Sequence, residues 1–170
     1  MSWAISLPPR SSDPLVLREA VRAGDVGAVR QLVEAAGVFS PEEAGVAASL
    51  VETTLSGAET YRFVFAEVGD RLLGYACFDR IPLSAVSYDL YWIVVAPEAR
   101  GTGLGRRLIA QVADRARAEG ALQIFAETSM RADYGPARAF YERAGFTAAA
   151  RFADFYARDE DKLVLRLELR

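Results

Sequence analysis

The sequence predicts an α/β domain on a mixed β-sheet. Short runs rich in β-branched and aromatic residues alternate with stretches whose apolar residues recur at helical spacing. One strand–helix–strand unit, from residues 87–95 to 122–127, has a connection long enough to make its two strands parallel, with the usual right-handed crossover. The chain has 170 residues, 52% of them hydrophobic, which suits a single domain over 1–170 with one core.

In chain order, residues 1–14 are Pro-rich and polar towards their end and read as a loose lead-in. Leu15–Ala20 reads as a first strand and Asp25–Ala35 as a helix. Ser40-Pro41-Glu42-Glu43 is a helix start, with Ser as N-cap, Pro at the first helical position and Glu at the third, and that helix runs to about Leu55. Strands Arg62–Val68 and Arg71–Phe78 are joined by Gly69-Asp70, a two-residue hairpin turn. Ser87–Val95 is a strand. From Leu104 the apolar residues Leu108, Ile109, Val112, Ala113 and Ala116 mark a helix that Gly120 closes. Leu122–Glu127 is a strand and Pro136–Ala144 a short helix. Phe146–Tyr156 and Lys162–Leu169 are closing strands, with Leu163, Leu165, Leu167 and Leu169 on one face of the last. The count is seven strands and four helices.

Composition narrows the chemistry. A formal charge of −3 leaves no basic footprint for nucleic acid and is compatible with a cationic substrate. The single cysteine, Cys77, excludes an intramolecular disulfide, and its apolar run Leu72–Phe78 reads as a buried strand. Without histidine there is no His-centred triad, and most catalytic zinc sites fall away, so no metal is expected. No stretch approaches the ~20 apolar residues of a membrane span. Met1–Pro14 lacks the basic start and apolar run of a signal peptide, so the expectation is a cytoplasmic protein with no membrane partner.

The informative segment is Arg100-Gly101-Thr102-Gly103-Leu104-Gly105-Arg106, between a strand and a helix. Alternating glycines let the backbone turn sharply and approach a ligand. The amides that open the helix lack intrahelical acceptors and sit at the positive end of its dipole, a place for a pyrophosphate. Arg100 and Arg106 add charge. There is no Lys-Ser/Thr after the last glycine, so this is not a Walker loop. A dinucleotide fingerprint needs a third glycine where Arg106 stands, although Glu127 lies at about the distance of a ribose-binding acid. A connecting Gly-rich turn is the plain alternative.

Arg100-Gly101-Thr102-Gly103-Leu104-Gly105 matches the pattern [R/Q]-x-x-G-x-[G/A], and Phe140-Tyr141-Glu142-Arg143-Ala144-Gly145-Phe146 matches [F/L]-Y-x-x-x-G-F. With their spacing and the element order, the chain resembles the GNAT superfamily of N-acetyltransferases from about Leu15 to Leu169. The resemblance implies acetyl-CoA as cosubstrate and an amine of a small molecule or peptide as acceptor. It implies that the pantetheine arm lies along Ile93, Val94 and Val95 like an extra strand, with a backbone amide there polarising the thioester carbonyl. It also implies that Arg100, Gly101, Thr102, Gly103, Leu104, Gly105 and Arg106 hold the pyrophosphate, and that Tyr141 protonates the departing thiolate.

For the base that takes the amine proton, Glu127 matches a position where some relatives keep a glutamate. Strand alternation puts Glu127 on the face of Gln123 and Phe125. Asp89 is the second candidate, read on the face of Tyr91, Ile93 and Val95, and a water chain is the third. Where many relatives carry an Asn that touches CoA, seven residues before the tyrosine, this chain has Tyr134. Phe39, Tyr88, Asp154 and Tyr156 are candidate walls of the amine pocket, and Arg30 and Arg62 read as solvated surface. Asp154-Phe155-Tyr156 and Asp161-Lys162 resemble a bacterial subgroup of the family. Two other readings stand beside the enzyme: a non-catalytic acyl-CoA-binding regulatory domain on the same fold, and a dinucleotide-binding enzyme. The Leu-rich last strand is compatible with a monomer or a homodimer.

Overall fold

The computed structural model describes residues 13–170, so all of the expected lead-in except Asp13 and Pro14 lies outside the described residues. Seven strands form one mixed sheet: β1 (Leu15–Arg18), β2 (Arg62–Val68), β3 (Arg71–Arg80), β4 (Ser87–Val95), β5 (Gln123–Ser129), β6 (Thr147–Ala157) and β7 (Glu160–Glu168). Four helices accompany them: α1 (Asp25–Ala35), α2 (Pro41–Ser56), α3 (Leu104–Ala118) and α4 (Gly135–Arg143). The spatial order is β1-β2-β3-β4-β5-β7-β6. Every neighbouring pair is antiparallel except β4 and β5, which are parallel as the long crossover through α3 requires.

The local signals account for most boundaries. Ser40 caps α2 with a full capping box: its hydroxyl accepts from the Glu43 amide at 3.2 Å, and the Glu43 carboxylate accepts from the Ser40 amide at 2.7 Å. Gly69, at φ 58°, makes the tight β2–β3 turn. Sheet pairing carries β5 two residues past Glu127, because Thr128 and Ser129 still find partners in Leu163 and Lys162.

The helices cover the sheet on both faces. Val29 and Val33 of α1 and Ala44, Ala47, Ala48 and Val51 of α2 are buried, and the small residues let the two helices lie close. On the other face, Leu108, Val112, Ala113 and Ala116 of α3 pack down on β2–β4. Gly74 of β3 makes room for α3: a Cβ there would meet the Val94 carbonyl at 3.0 Å and Leu108 at 3.2 Å.

Two charge networks anchor the ends of the sheet. Arg18, 8% exposed, donates to Asp25 (2.7 and 3.0 Å), to Glu67 and to the Ala20 carbonyl, and lies 4.4 Å over the Phe65 ring. It ties β1 and β2 to the start of α1. Arg62, expected at the solvated surface, is held instead between Asp79 and Glu119, with Nη2 2.6 Å from the Glu119 carboxylate. The Tyr88 hydroxyl donates to the same carboxylate at 2.8 Å. This network fastens the end of α3 to the sheet.

Candidate active site

The cleft arises where two strands part. β4 and β5 pair only from Ser87–Leu90 against Gln123–Ala126. Beyond Leu90, β4 stays bonded to β3 as far as Val95, while β5 follows β7 to Ser129. Between them opens a cleft of about 930 Å³, walled by Tyr91–Val95 on one side and Glu127–Ser129 on the other. Its size is that of a site for a sizeable organic ligand. The backbone groups of β4 that face β5 over residues 91–95 have no strand partner there, and an extended ligand can supply one. Ile93, Val94 and Val95 all line it, as expected.

The cleft runs into the loop of residues 100–106, where the sequence places a pyrophosphate. Gly101 and Gly103 have φ of 76° and 86°, a region that side chains disfavour. Gly103 is the N-cap of α3 and supplies no side-chain cap, so the first amides of the helix are free for an anion. Arg100, Gly101, Gly103, Leu104, Gly105 and Arg106 line the cleft. Thr102 does not: its hydroxyl donates to the Ala99 carbonyl at 2.7 Å and braces the loop from within. Arg100 also donates to the Ala36 carbonyl at 2.9 Å, joining the loop to the end of α1. Arg143 lines the cleft too and was missed in the sequence, where a basic residue in the last turn of a helix reads as a partner of the helix dipole.

The third glycine has a different reason from the first two. A Cβ on Gly105 would stand 2.7 Å from the Phe140 ring. Gly105 therefore lets α4 pack on α3, and α4 carries Tyr141. Gly105→Ala is expected to cost about 1–3 kcal/mol by overpacking. That is several degrees of Tm for a chain of this size. Thermal unfolding reads it, and a midpoint within about 1 °C of wild type would show that Phe140 yields freely.

Tyr141 is 8% exposed, lines the cleft, and is wedged between Phe140 and Phe146 with ring centres 5.4 and 5.2 Å away. Burial pushes its phenol well above the ordinary tyrosine value, so it carries its proton throughout the physiological range. Glu127 also lines the cleft, on the face of Gln123 and Phe125, and its Oε1 is 2.7 Å from Lys162 Nζ.

Asp89 stands beside the cleft and not in its lining. A bulge at Tyr91 puts Leu90 opposite Phe78 and Trp92 opposite Cys77. Strict alternation fails there. Asp89 therefore shares a face with Trp92 and Val94, not with Ile93 and Val95, and it is not a cleft-lining residue. Burial, and then the neighbouring Glu127, raise its carboxyl. Cys77 is buried, and burial pushes its thiol far up, which leaves it protonated and inert as a nucleophile.

The far end of the cleft has aromatic walls. Phe39 meets Trp92 edge-on at 5.2 Å, and Tyr134 and Tyr156 line the same space with Glu43 and Glu160. Tyr134, in the expected cosubstrate position, has its phenol raised by burial and then by Glu43. Two expected wall residues do not take part. Tyr88 is fully buried, with its hydroxyl bonded to Glu119 of α3, and Asp154 sits in the β6–β7 hairpin with φ 52°. Among the described residues no group of three or more His, Cys, Asp or Glu could hold a metal ion, and no helix is long and apolar enough to cross a membrane.

Residues 29–146 match the model of the acetyltransferase (GNAT) family. Among solved structures, a GNAT-family protein from Desulfovibrio desulfuricans is 46% identical, with 92% of this chain and all of that one aligned at TM-score 0.90. A Salmonella typhimurium protein solved with its cofactor acetyl-CoA is 19% identical over 92% of this chain and 95% of its own, at TM-score 0.70. An aminoglycoside 6′-N-acetyltransferase complexed with coenzyme A is 18% identical over 91% and 97%, at TM-score 0.75. The last two share the fold. None of the curated proteins compared matches this chain.

Proposed function

Since the chain belongs to the acetyltransferase (GNAT) family, we propose that it transfers the acetyl group of acetyl-CoA directly to a primary amine of a small molecule or peptide. The observation that carries this reading is the parting of β4 from β5, which leads an unpaired strand edge straight to an uncapped helix N-terminus. A slim amide-bearing arm fits the first, and a pyrophosphate fits the second. Arg100, Arg106 and Arg143 place cations around that phosphate end.

Acetyl-CoA supplies the activated acyl carbon and the thiolate leaving group. The backbone of Ile93–Val95 holds the arm in the cleft, and an amide of that edge donates to the thioester oxygen, where one such donor is typically worth about 3–4 kcal/mol. Glu127 accepts the proton that the amine gives up, directly or through water, because a free amine is only ~0.1% of the total at neutral pH. Nitrogen bonds to the acyl carbon, the carbon–sulfur bond breaks, the Tyr141 hydroxyl gives its proton to sulfur, and the second proton that the acylated nitrogen sheds returns through water to the Tyr141 phenolate. Glu127 and Tyr141 both line the cleft, which supports these two roles.

Calorimetric titration with acetyl-CoA, with NAD as control, tests the first half of the reading. Micromolar acetyl-CoA binding without NAD binding is expected. Failure to bind acetyl-CoA overturns it. Thiol release is then followed with alkyl diamines, polyamines, aminoglycosides and short peptides. Binding without release from any of them identifies a non-catalytic acyl-CoA-binding domain instead.

A further inference from the structure

Asp154, Phe155, Tyr156, Asp161 and Lys162 take no part in the chemistry described so far, yet β6 and β7 assemble them into one unit. Phe152 pairs with Lys162 and Ala157 with Glu160, so residues 153–156 bulge out opposite Asp161 alone. Asp161 shapes that bulge. Its carboxylate accepts from the Asp154 amide at 3.0 Å and from Arg151 at 2.6 Å, and these two partners hold it below the usual carboxylate range. The Asp154 carboxylate in turn accepts from the Asp159 amide at 2.6 Å. The bulge lays Phe155 against Lys162, with the ammonium 4.3 Å from the ring centre, and sends Tyr156 to the cleft wall.

Lys162 is thereby held at its ammonium, which contacts both the Phe155 ring and Glu127. Its side chain is 13% exposed and its Nζ lies 2.7 Å from Glu127 Oε1, while the Glu127 side chain is 53% exposed. A half-exposed glutamate, left alone, spreads its carboxylate over several rotamers. We propose that Lys162 is a positioning residue: stacked on Phe155, it grips one oxygen of Glu127 and leaves the other aimed into the cleft for the acceptor's proton. The assignment rests on Glu127 as the base. An ion pair this open on one side adds little to folding. Its worth is in geometry, where a misplacement of about 1 Å can cost about 100-fold in rate.

Lys162→Met, Lys162→Arg and Glu127→Gln test this in the full chain, with turnover read on the most active amine of the panel above. Lys162→Met keeps an unbranched side chain of similar length and removes the charge, and with it the ammonium contact to Phe155. It is expected to lower kcat about 10- to 100-fold, with the KM for acetyl-CoA and the Tm unchanged, and Lys162→Arg, which keeps a positive charge facing Glu127, is expected to restore part of the loss. Wild-type kcat in Lys162→Met, or an equal loss in Lys162→Arg, overturns the assignment. If Glu127→Gln is slow and Lys162→Met is not, the base stands and only its holder falls. If Glu127→Gln turns over like wild type, the base reading fails and takes the assignment with it. A readout that needs no acceptor is the 15N signal of the Lys162 ammonium. It is expected to be sharp in wild type and to vanish in Glu127→Gln, and a signal indifferent to that change also overturns the pair.

Discussion

Tyr141→Phe is expected to lower turnover about 100- to 10,000-fold, the usual range for loss of a general acid, while acetyl-CoA affinity stays near wild type. The substitution removes one oxygen and keeps the ring that Phe140 and Phe146 clamp, so α4 and the phosphate loop keep their places. On the proposed function, binding is carried by the β4 edge and the α3 amides, none of which needs the phenol. The raised Tyr141 proton affinity adds a second signature. The alkaline limb that this acid sets in the kcat profile lies above the ordinary tyrosine value of about 10. Steady-state kinetics with a calorimetric Kd checks both. Unchanged turnover sinks the acid role, and a parallel loss of acetyl-CoA affinity would mean that the hydroxyl serves binding instead.

Arg18→Ala is expected to destabilise the fold by about 3–5 kcal/mol, the range for stripping one partner from a buried ion network. For a chain of this length that lowers Tm by on the order of 10 °C. Arg18 answers two carboxylates at once, with side-chain exposures of 7% for Asp25 and 17% for Glu67. Removing it leaves Glu67 only the exposed Arg22 guanidinium at 3.7 Å and Asp25 only the Arg22 amide at 2.6 Å, and the stacking on the Phe65 ring is lost as well. The discriminating comparison replaces Arg18, Asp25 and Glu67 together with apolar residues of similar volume, which is expected to recover much of the loss because no unpaired charge remains. Denaturant unfolding measures all of these. A loss below about 1 kcal/mol in Arg18→Ala would show that water reaches the two carboxylates freely.

The parts of this protein that local rules govern were legible in its sequence. The α2 capping box, the Gly69-Asp70 turn, the helical spacing of Leu108, Val112 and Ala116, and the positive-φ glycines of the phosphate loop are short-range features, and each lies where the residues put it. What stayed hidden depends on residues far apart in the chain. The Tyr91 bulge is a mismatch between two strands, and one strand's alternation cannot reveal it, so Asp89 was read onto the wrong face. Arg62 looked like a surface cation because Glu119, its partner, lies 57 positions away. The Gly105–Phe140 contact has the same character: the motif marks a small residue, and only the packed helices say why. The sequence marked Lys162 only as part of a subgroup resemblance, and its contact with Glu127 arises only when β7 pairs with β5.

The parting of β4 from β5 also acts as a ruler. An exposed strand edge ordinarily pairs with any backbone that reaches it. This one is enclosed, and it is short. Tyr91–Val95 spans five residues, or about 17 Å at the rise of an extended chain. One end lies at the N-terminus of α3, which the proposed reading gives to the pyrophosphate, and the other opens beside Glu127. A carrier must therefore bridge that span with a flexible arm of matching length to present its acyl group to the two proton-handling residues. A thioester on a shorter arm leaves either the phosphate seat or the reaction centre empty. On the proposed function, selection among acyl donors becomes a measurement of length made by main chain, and side-chain substitutions along β4 are expected to leave its calibration unchanged.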